Sequence, residues 1–385
     1  MAKSTVNAPP TAADVIQFVD RDLDLFEGIN DGEEHHLAGG ESLPPVEPLT
    51  KAWDVAYIRF SVPDLDLYER WVTDFGLKII YKDDQVIYSR GLQGDGFCHV
   101  AHKGPAKFLG FAMMMRDEKD LRVLQENIEG CSTVHKIPGI EGKLCGGSRV
   151  SFIDPVCNLL IEAVHGRSID ELPPTRDRVE YNYGSKENYR RPANKLQDTS
   201  GNRAADGSNT VHPGPPDVLK IGHVGLSIPV GPHHKMMAFM METFGLLPSD
   251  SAYFESPKST EGHSVNPGMF EMLQKAGPSP IYPGTFAEGE ATYACFFRCD
   301  RGEIPTDHHT FFILSLMDKK QAPVGGDINP QLSHVSFEVS NLDDVWRGHM
   351  QLKTKAEFQE ERYEIAWGVG RHVLGSHIYD YSVSY

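Results

Sequence analysis

The sequence predicts an α+β protein of two tandem domains, each a pair of βαβββ modules forming a half-open barrel, with the last module incomplete. Three observations carry this expectation. Runs of period two and runs of period 3.6 alternate in the order β-α-β-β-β, and that order recurs along the chain. A polar stretch rich in Gly, Asn and Pro divides two such pairs. Finally, Ile221-Gly222-His223-Val224-Gly225-Leu226-Ser227-Ile228 is repeated in outline by Leu332-Ser333-His334-Val335-Ser336-Phe337-Glu338-Val339, so each module of the second pair opens on a histidine-bearing strand.

Taken in order, residues 1–51 read as an N-terminal extension rich in Asp, Glu, Pro and Gly, with amphipathic turns around Val15, Phe18, Leu23 and Phe26. The first domain, 52–185, starts with the alternating Val55 to Val62. Pro63-Asp64 opens a helix with Leu67, Trp71, Phe75 and Leu77 near one face, and strands follow around 77–81, 85–88 and 97–100. The order then repeats: a strand over Lys107 to Met115, a helix over Asp117 to Ile128, and strands at Arg149 to Ile153 and, after Asp154-Pro155, Leu159 to Val164. Residues 186–218 suit a linker. The second domain, 219–385, runs from the His223 strand through a helix carrying Met236, Phe239, Met240 and Phe244. Residues 250–290 are expected to form a long loop over the site. Strands at 293–299 and 311–314, the His334 strand, a helix from Leu342 to Leu352 and strands around Trp367 and Tyr379 complete it.

At 385 residues the chain is long enough for about two domains, each with a full core. A formal net charge of −17, spread along the chain, argues against a nucleic-acid groove or an anionic membrane surface and favours a small-molecule partner. No apolar run approaches the ~20 residues that span a bilayer, and the polar, proline-containing start is unlike a signal-peptide core. A cytoplasmic protein is expected. The six cysteines include no CxxC pair, which indicates neither a disulfide framework nor a zinc knuckle.

Each of His223 and His334, taken singly, reads as a hydrogen-bonded core histidine. Recurrence on paired modules makes them candidate ligands of one metal ion. Matching Ser61-Val62-Pro63 to Ser227-Ile228-Pro229 places Tyr57 where His223 stands, and matching Asp120-Leu121 to Asp344-Val345 places Gly110 where His334 stands. The first domain thereby becomes a structural copy, with Glu162 expected to be a strand carboxylate without partners.

The four-module order, together with Gly222-His223-Val224-Gly225, Asp307-His308-His309-Thr310, Leu332-Ser333-His334-Val335-Ser336-Phe337, and Gly370-Arg371-His372 followed by Tyr381, resembles the vicinal oxygen chelate superfamily. Within it the chain resembles the two-domain type I extradiol ring-cleavage dioxygenases, over roughly residues 52 to 381. The resemblance implies Fe(II), occasionally Mn(II), held by two histidines and a glutamate, with open positions for a catecholate and dioxygen. His223 and His334 match the two histidines. His309 matches an acid-base histidine, against a bland reading as an exposed loop residue. His372 matches a second active-site histidine, or caps a strand. Tyr381 matches a tyrosine that hydrogen-bonds the catecholate, or is a core residue.

The family's glutamate follows an Asp-Pro turn on the final strand, as Glu162 follows Asp154-Pro155. No glutamate follows Tyr381. The expectation is a truncated last module, an exposed strand edge and iron held weakly. The function implied is extradiol-type cleavage of a catechol or related hydroxylated aromatic with Fe(II) and O2. The alternatives are a metal-free small-molecule-binding member or a glyoxalase-type lyase using Zn or Ni. A small aromatic substrate is the expected partner, and the resemblance makes a homo-oligomer plausible.

Overall fold

Alternating apolar residues from Ala52 onward build the first strand, and the module it opens is repeated three times. The computed structural model describes residues 47–93, 96–137, 146–167, 214–229, 232–254, 291–316, 331–358, 363–372 and 375–383. The turns expected around Val15 to Phe26, most of the 186–218 linker and the loop beyond 254 lie outside them.

The first half contains β1 (Ala52–Val62), α1 (Leu65–Phe75), β2 (Lys78–Lys82), β3 (Val86–Arg90) and β4 (His99–Lys103), then β5 (Lys107–Met115), α2 (Glu118–Asn127), β6 (His135–Lys136), β7 (Ser148–Ile153) and β8 (Leu160–His165). Local chemistry sets the helix ends. Asp64 accepts hydrogen bonds from the amides of Asp66 and Leu67 at the start of α1, and Gly76 ends it with φ of 109°. The face that α1 buries is Leu65, Tyr68, Trp71 and Val72. Leu67 and Phe75 are only half-buried, which corrects the face read from the sequence: the helix meets the sheet about one residue further round than its apolar spacing suggests. The buried Asp154 carboxylate accepts from the amides of Val156, Cys157 and Leu159 at 2.9, 2.7 and 2.6 Å, and so turns the chain into β8.

These strands form one open sheet in the order β2-β3-β4-β1-β5-β8-β7-β6, in which the two modules meet where β1 pairs antiparallel with β5. The second half repeats the plan with β9 (Val218–Pro229), α3 (Pro232–Phe244), β10 (Leu246–Phe254), β11 (Ala291–Cys299), β12 (Phe311–Leu316), β13 (Gln331–Val339), α4 (Leu342–Phe358), β14 (Glu364–Arg371) and β15 (Ile378–Val383). Residues 250–254 belong to β10, hydrogen-bonded to β11, rather than to a loop. Here the sheet order is β10-β11-β12-β9-β13, and β14 and β15 form a separate ribbon. In the first half β8 lies between β5 and β7; among the described residues no strand lies between β13 and β15. One apolar core runs through both halves, with Phe111 against Phe311 and Phe152 against Phe239 and Phe244. The amides of Leu92 and Gln93 also donate to the carbonyls of Val218 and Leu219, both at 2.8 Å.

The two central pairings share a register. Tyr57 faces Ala112 and Arg59 faces Gly110 in β1/β5, whereas His223 faces Ser336 and Gly225 faces His334 in β9/β13. This is the correspondence the internal alignment predicts. A Cβ on Gly110 would lie 1.9 Å from the Leu160 carbonyl of β8, so the first half has no room for an imidazole there.

Glu162 is not without partners. It is buried opposite Ala112, ion-paired to Arg59 and, at 3.0 Å, to Arg149, and it accepts hydrogen bonds from the Tyr57 hydroxyl at 2.9 Å and the Ser151 hydroxyl at 3.2 Å. Arg167 lies over the rings of Tyr57 and Phe97. The sequence reading missed this because the arginines come from three separated strands and loops. Burial alone would raise the Glu162 pKa, but the two guanidinium charges and the bonds from Arg59 and Tyr57 override it and hold it low. Glu162→Ala strands the buried Arg59 and should lower unfolding free energy in urea by about 3–5 kcal/mol. Because the folded pKa is depressed, Glu162's contribution is present above the ordinary carboxylate pKa and is lost as the pH falls through the folded value. The wild-type chain should therefore lose more stability on acidification than Glu162→Gln does.

Candidate metal centre

The β9/β13 register puts His223 and His334 on neighbouring strands, with a register shift between Leu332 and His334 that re-aims the second ring. Their Nε2 atoms are 3.0 Å apart, and the rings cross at 73°. Two bonds of ~2.1 Å to one cation, meeting at a right angle, require a separation of about 3 Å. Gly225 makes the arrangement feasible: a Cβ there would strike the Phe312 ring at 1.9 Å, and that ring packs 4.9 Å from His334.

The other residues singled out in the sequence gather around this pair. His309 is buried, contrary to its bland reading as an exposed loop histidine, and its ring is 4.2 Å from that of His223. The segment is pinned by the Thr310 amide donating to Phe297 at 2.8 Å and the Val224 amide donating to Thr310 at 3.1 Å. The Tyr381 hydroxyl lies 3.3 Å from His334 Nε2 and 3.1 Å from His372 Nε2, bridging the ribbon to the central pair. Two further histidines join them. His308 Nδ1 is 2.9 Å from His309 Nδ1, with its Nε2 3.5 Å from Asp250, and the His377 ring is 5.3 Å from that of His309. Sequence reasoning passed over His377. The available signal was the turn at Gly375, with φ of 71°, which lets the His372 amide donate to the His377 carbonyl at 2.9 Å.

Burial dominates the electrostatics. It lowers the pKa of His334 to about 4 and of His309 to about 3, each assisted by neighbouring imidazoles, and pushes His223 well below its usual value. His372 and His377 are lowered for the same reasons. Burial raises the Tyr381 phenol to about 12, with Tyr379 adding to it. At neutral pH this is a set of uncharged imidazoles beside a protonated phenol, with lone pairs to offer a cation.

His223 and His334 fit two adjacent positions on a divalent metal. Among the described residues no group of three His, Cys, Asp or Glu side chains is arranged to hold one. Nearby carboxylates are engaged elsewhere: Asp307 and Glu338 flank Lys220, and Asp250 pairs with His308. The first half shows the complement, with a carboxylate and no imidazole at these positions: Tyr57, Gly110 and Glu162, with Arg59 supplying the positive charge.

No protein-family model matches the sequence, and no curated protein matches it. Solved structures are similar in fold. A Mn(II)-bound glyoxalase from Novosphingobium aromaticivorans matches 87% of this chain and 79% of its own at 19% identity and a TM-score of 0.53. An extradiol ring-cleaving dioxygenase from B. fuscum matches 88% and 70%, at 16% identity and a TM-score of 0.53. A variant of homoprotocatechuate 2,3-dioxygenase from Brevibacterium fuscum matches 88% and 70%, at 16% identity and a TM-score of 0.51. With its four repeated modules and its central strand pairs in one register, the chain has the same fold as these glyoxalase and extradiol dioxygenase structures.

Proposed function

We propose that the second half is an extradiol-type dioxygenase site, acting with Fe(II), or Mn(II), and O2 on a catechol or a related hydroxylated aromatic. The observation that carries this reading is the 3.0 Å approach of His223 Nε2 to His334 Nε2 inside a ring of neutral imidazoles and one phenol. A divalent cation held by His223 and His334 would supply Lewis acidity and adjacent open positions for two oxygen donors. Everything else is assigned to the chain. With its Nδ1 committed to His308, His309 would use Nε2 to take a substrate hydroxyl proton, since burial keeps the imidazole neutral and that lone pair free. Tyr381, protonated and 3.1 Å from His372, would donate to a substrate oxygen while His372 holds the phenol in place. Phe296, Phe312 and Trp367 stand 5.0, 4.9 and 5.1 Å, ring to ring, from His309, His334 and Tyr381, and such a wall suits a planar aromatic partner.

The second reading, a metal-free binder of small molecules, is favoured by the lack of a third protein ligand among the described residues. A glyoxalase-type lyase is supported by the fold likeness alone. Among the described residues no helix is long and apolar enough to cross a membrane.

Anaerobic loading with Fe(II), followed by a catechol and air, should produce the yellow absorbance of a ring-opened product. No colour with a panel of catechols, together with catechol binding in the presence of a chelator, would leave the metal-free binder. His309→Ala should retain metal while turnover falls about 100- to 10,000-fold. Loss of metal in that variant, measured by elemental analysis after desalting, would move His309 from proton transfer to ligation.

A further inference from the structure

Behind His309 stands a short file of polar groups that leads away from the His223 and His334 pair. His308 Nδ1 is 2.9 Å from His309 Nδ1, and on the other side of its ring His308 Nε2 is 3.5 Å from the Asp250 carboxylate. The three residues come from two places in the fold. His308 and His309 precede β12, whereas Asp250 lies in β10, where the ladder to β11 shifts register between Pro248 and Asp250 and sets Asp250 opposite Phe296. The Phe296 ring lies beside both imidazoles, 6.0 Å from His308 and 5.0 Å from His309 between centroids. Gly375 leaves room for the outer one: a Cβ there would lie 2.9 Å from His308 Nδ1.

The order of these groups decides where the protons sit. An uncharged imidazole, the ordinary form above pH ~7, carries one N–H and one lone pair. On His308 that proton belongs on Nε2, because a carboxylate oxygen attracts an N–H and repels a lone pair. His308 Nδ1 is then an acceptor. Two nitrogens facing each other at 2.9 Å share a single proton, so His309 Nδ1 is the donor. The one proton of a neutral His309 is thereby placed on Nδ1, and Nε2 keeps its lone pair. With no carboxylate behind His308 the pair is free to donate in the opposite sense. His309 then holds its proton on Nε2, where it cannot act as a base.

We infer that Asp250 is a positioning residue for His309, selecting through His308 the tautomer in which Nε2 is the lone-pair nitrogen. Which ring nitrogen of a histidine carries the proton is set by the partner of the other, and here that partner is itself set by a third group. The role rests on the proposed use of His309 as the base of an extradiol-type site, and it names the two residues that direct that base.

The test is tautomer assignment by long-range proton–nitrogen NMR on the metal-free full chain labelled with 15N-histidine, at about pH 8. The His309 signals are identified by their loss in His309→Gln. The wild type should show His309 protonated at Nδ1. Asp250→Ala should move that proton, in part or in full, to Nε2; if this variant does not fold, His308→Phe should produce the same change. On the Fe(II)-loaded chain, Asp250→Ala should retain metal and lower kcat about 10- to 100-fold with little change in KM. The NMR requires neither metal nor catechol. A chain without ring-cleaving activity therefore counts against the extradiol reading and leaves the tautomer to decide the role of Asp250. A wild-type His309 protonated at Nε2 overturns the inference. So does a folded variant whose His309 tautomer is unchanged, or an active Asp250→Ala chain with the wild-type kcat.

Discussion

The antiparallel pairing of β9 with β13 is the constraint on which the candidate metal centre depends. Side chains alternate along a strand, so slipping this pair by one residue would send His223 and His334 to opposite faces and dissolve the cluster. The register is fixed from both sides: β12 pairs parallel to β9 from Phe311 onward, and a common core lies beneath. The same register holds β1 against β5, so both halves place two chosen positions side by side at the centre of a sheet and leave local sequence to decide what stands there.

What stands there differs in kind. In the first half the positions hold Tyr57 and Gly110, β8 closes in with Glu162, and Arg59 occupies the interior as a covalently tethered cation. A buried carboxylate beside fixed guanidinium groups needs no ion from solvent. In the second half burial and the neighbouring imidazoles keep His223 and His334 uncharged, so their nitrogens converge as neutral donors. Two neutral imidazoles 3.0 Å apart are satisfied either by sharing one proton or by giving both lone pairs to a cation. Among the described residues no third ligand joins the two imidazoles, and a cation held by them alone keeps its full charge in a desolvated setting, which argues for weak retention.

Much of this was legible in the sequence because it rests on periodicity. β5 and β13 fell within a residue of their expected bounds, and the internal alignment of Tyr57 with His223 and Gly110 with His334 agrees with the observed register. The candidate residues His223, His334, His309, His372 and Tyr381 come together around one point. What sequence could not show were contacts among residues from separate elements. The Arg59, Arg149 and Arg167 environment of Glu162 is built by three-dimensional proximity alone. His377 enters the cluster through a left-handed turn at Gly375 that no hydrophobic pattern announces.

The most direct test of the central claim is calorimetric titration of Mn(II) into the metal-stripped chain, repeated with His223→Ala, with His334→Ala and with Tyr57→Phe. The account predicts one weak site per chain that disappears in either histidine variant and persists in the tyrosine variant. Binding that survives the loss of both imidazoles, or that vanishes with Tyr57, would contradict it.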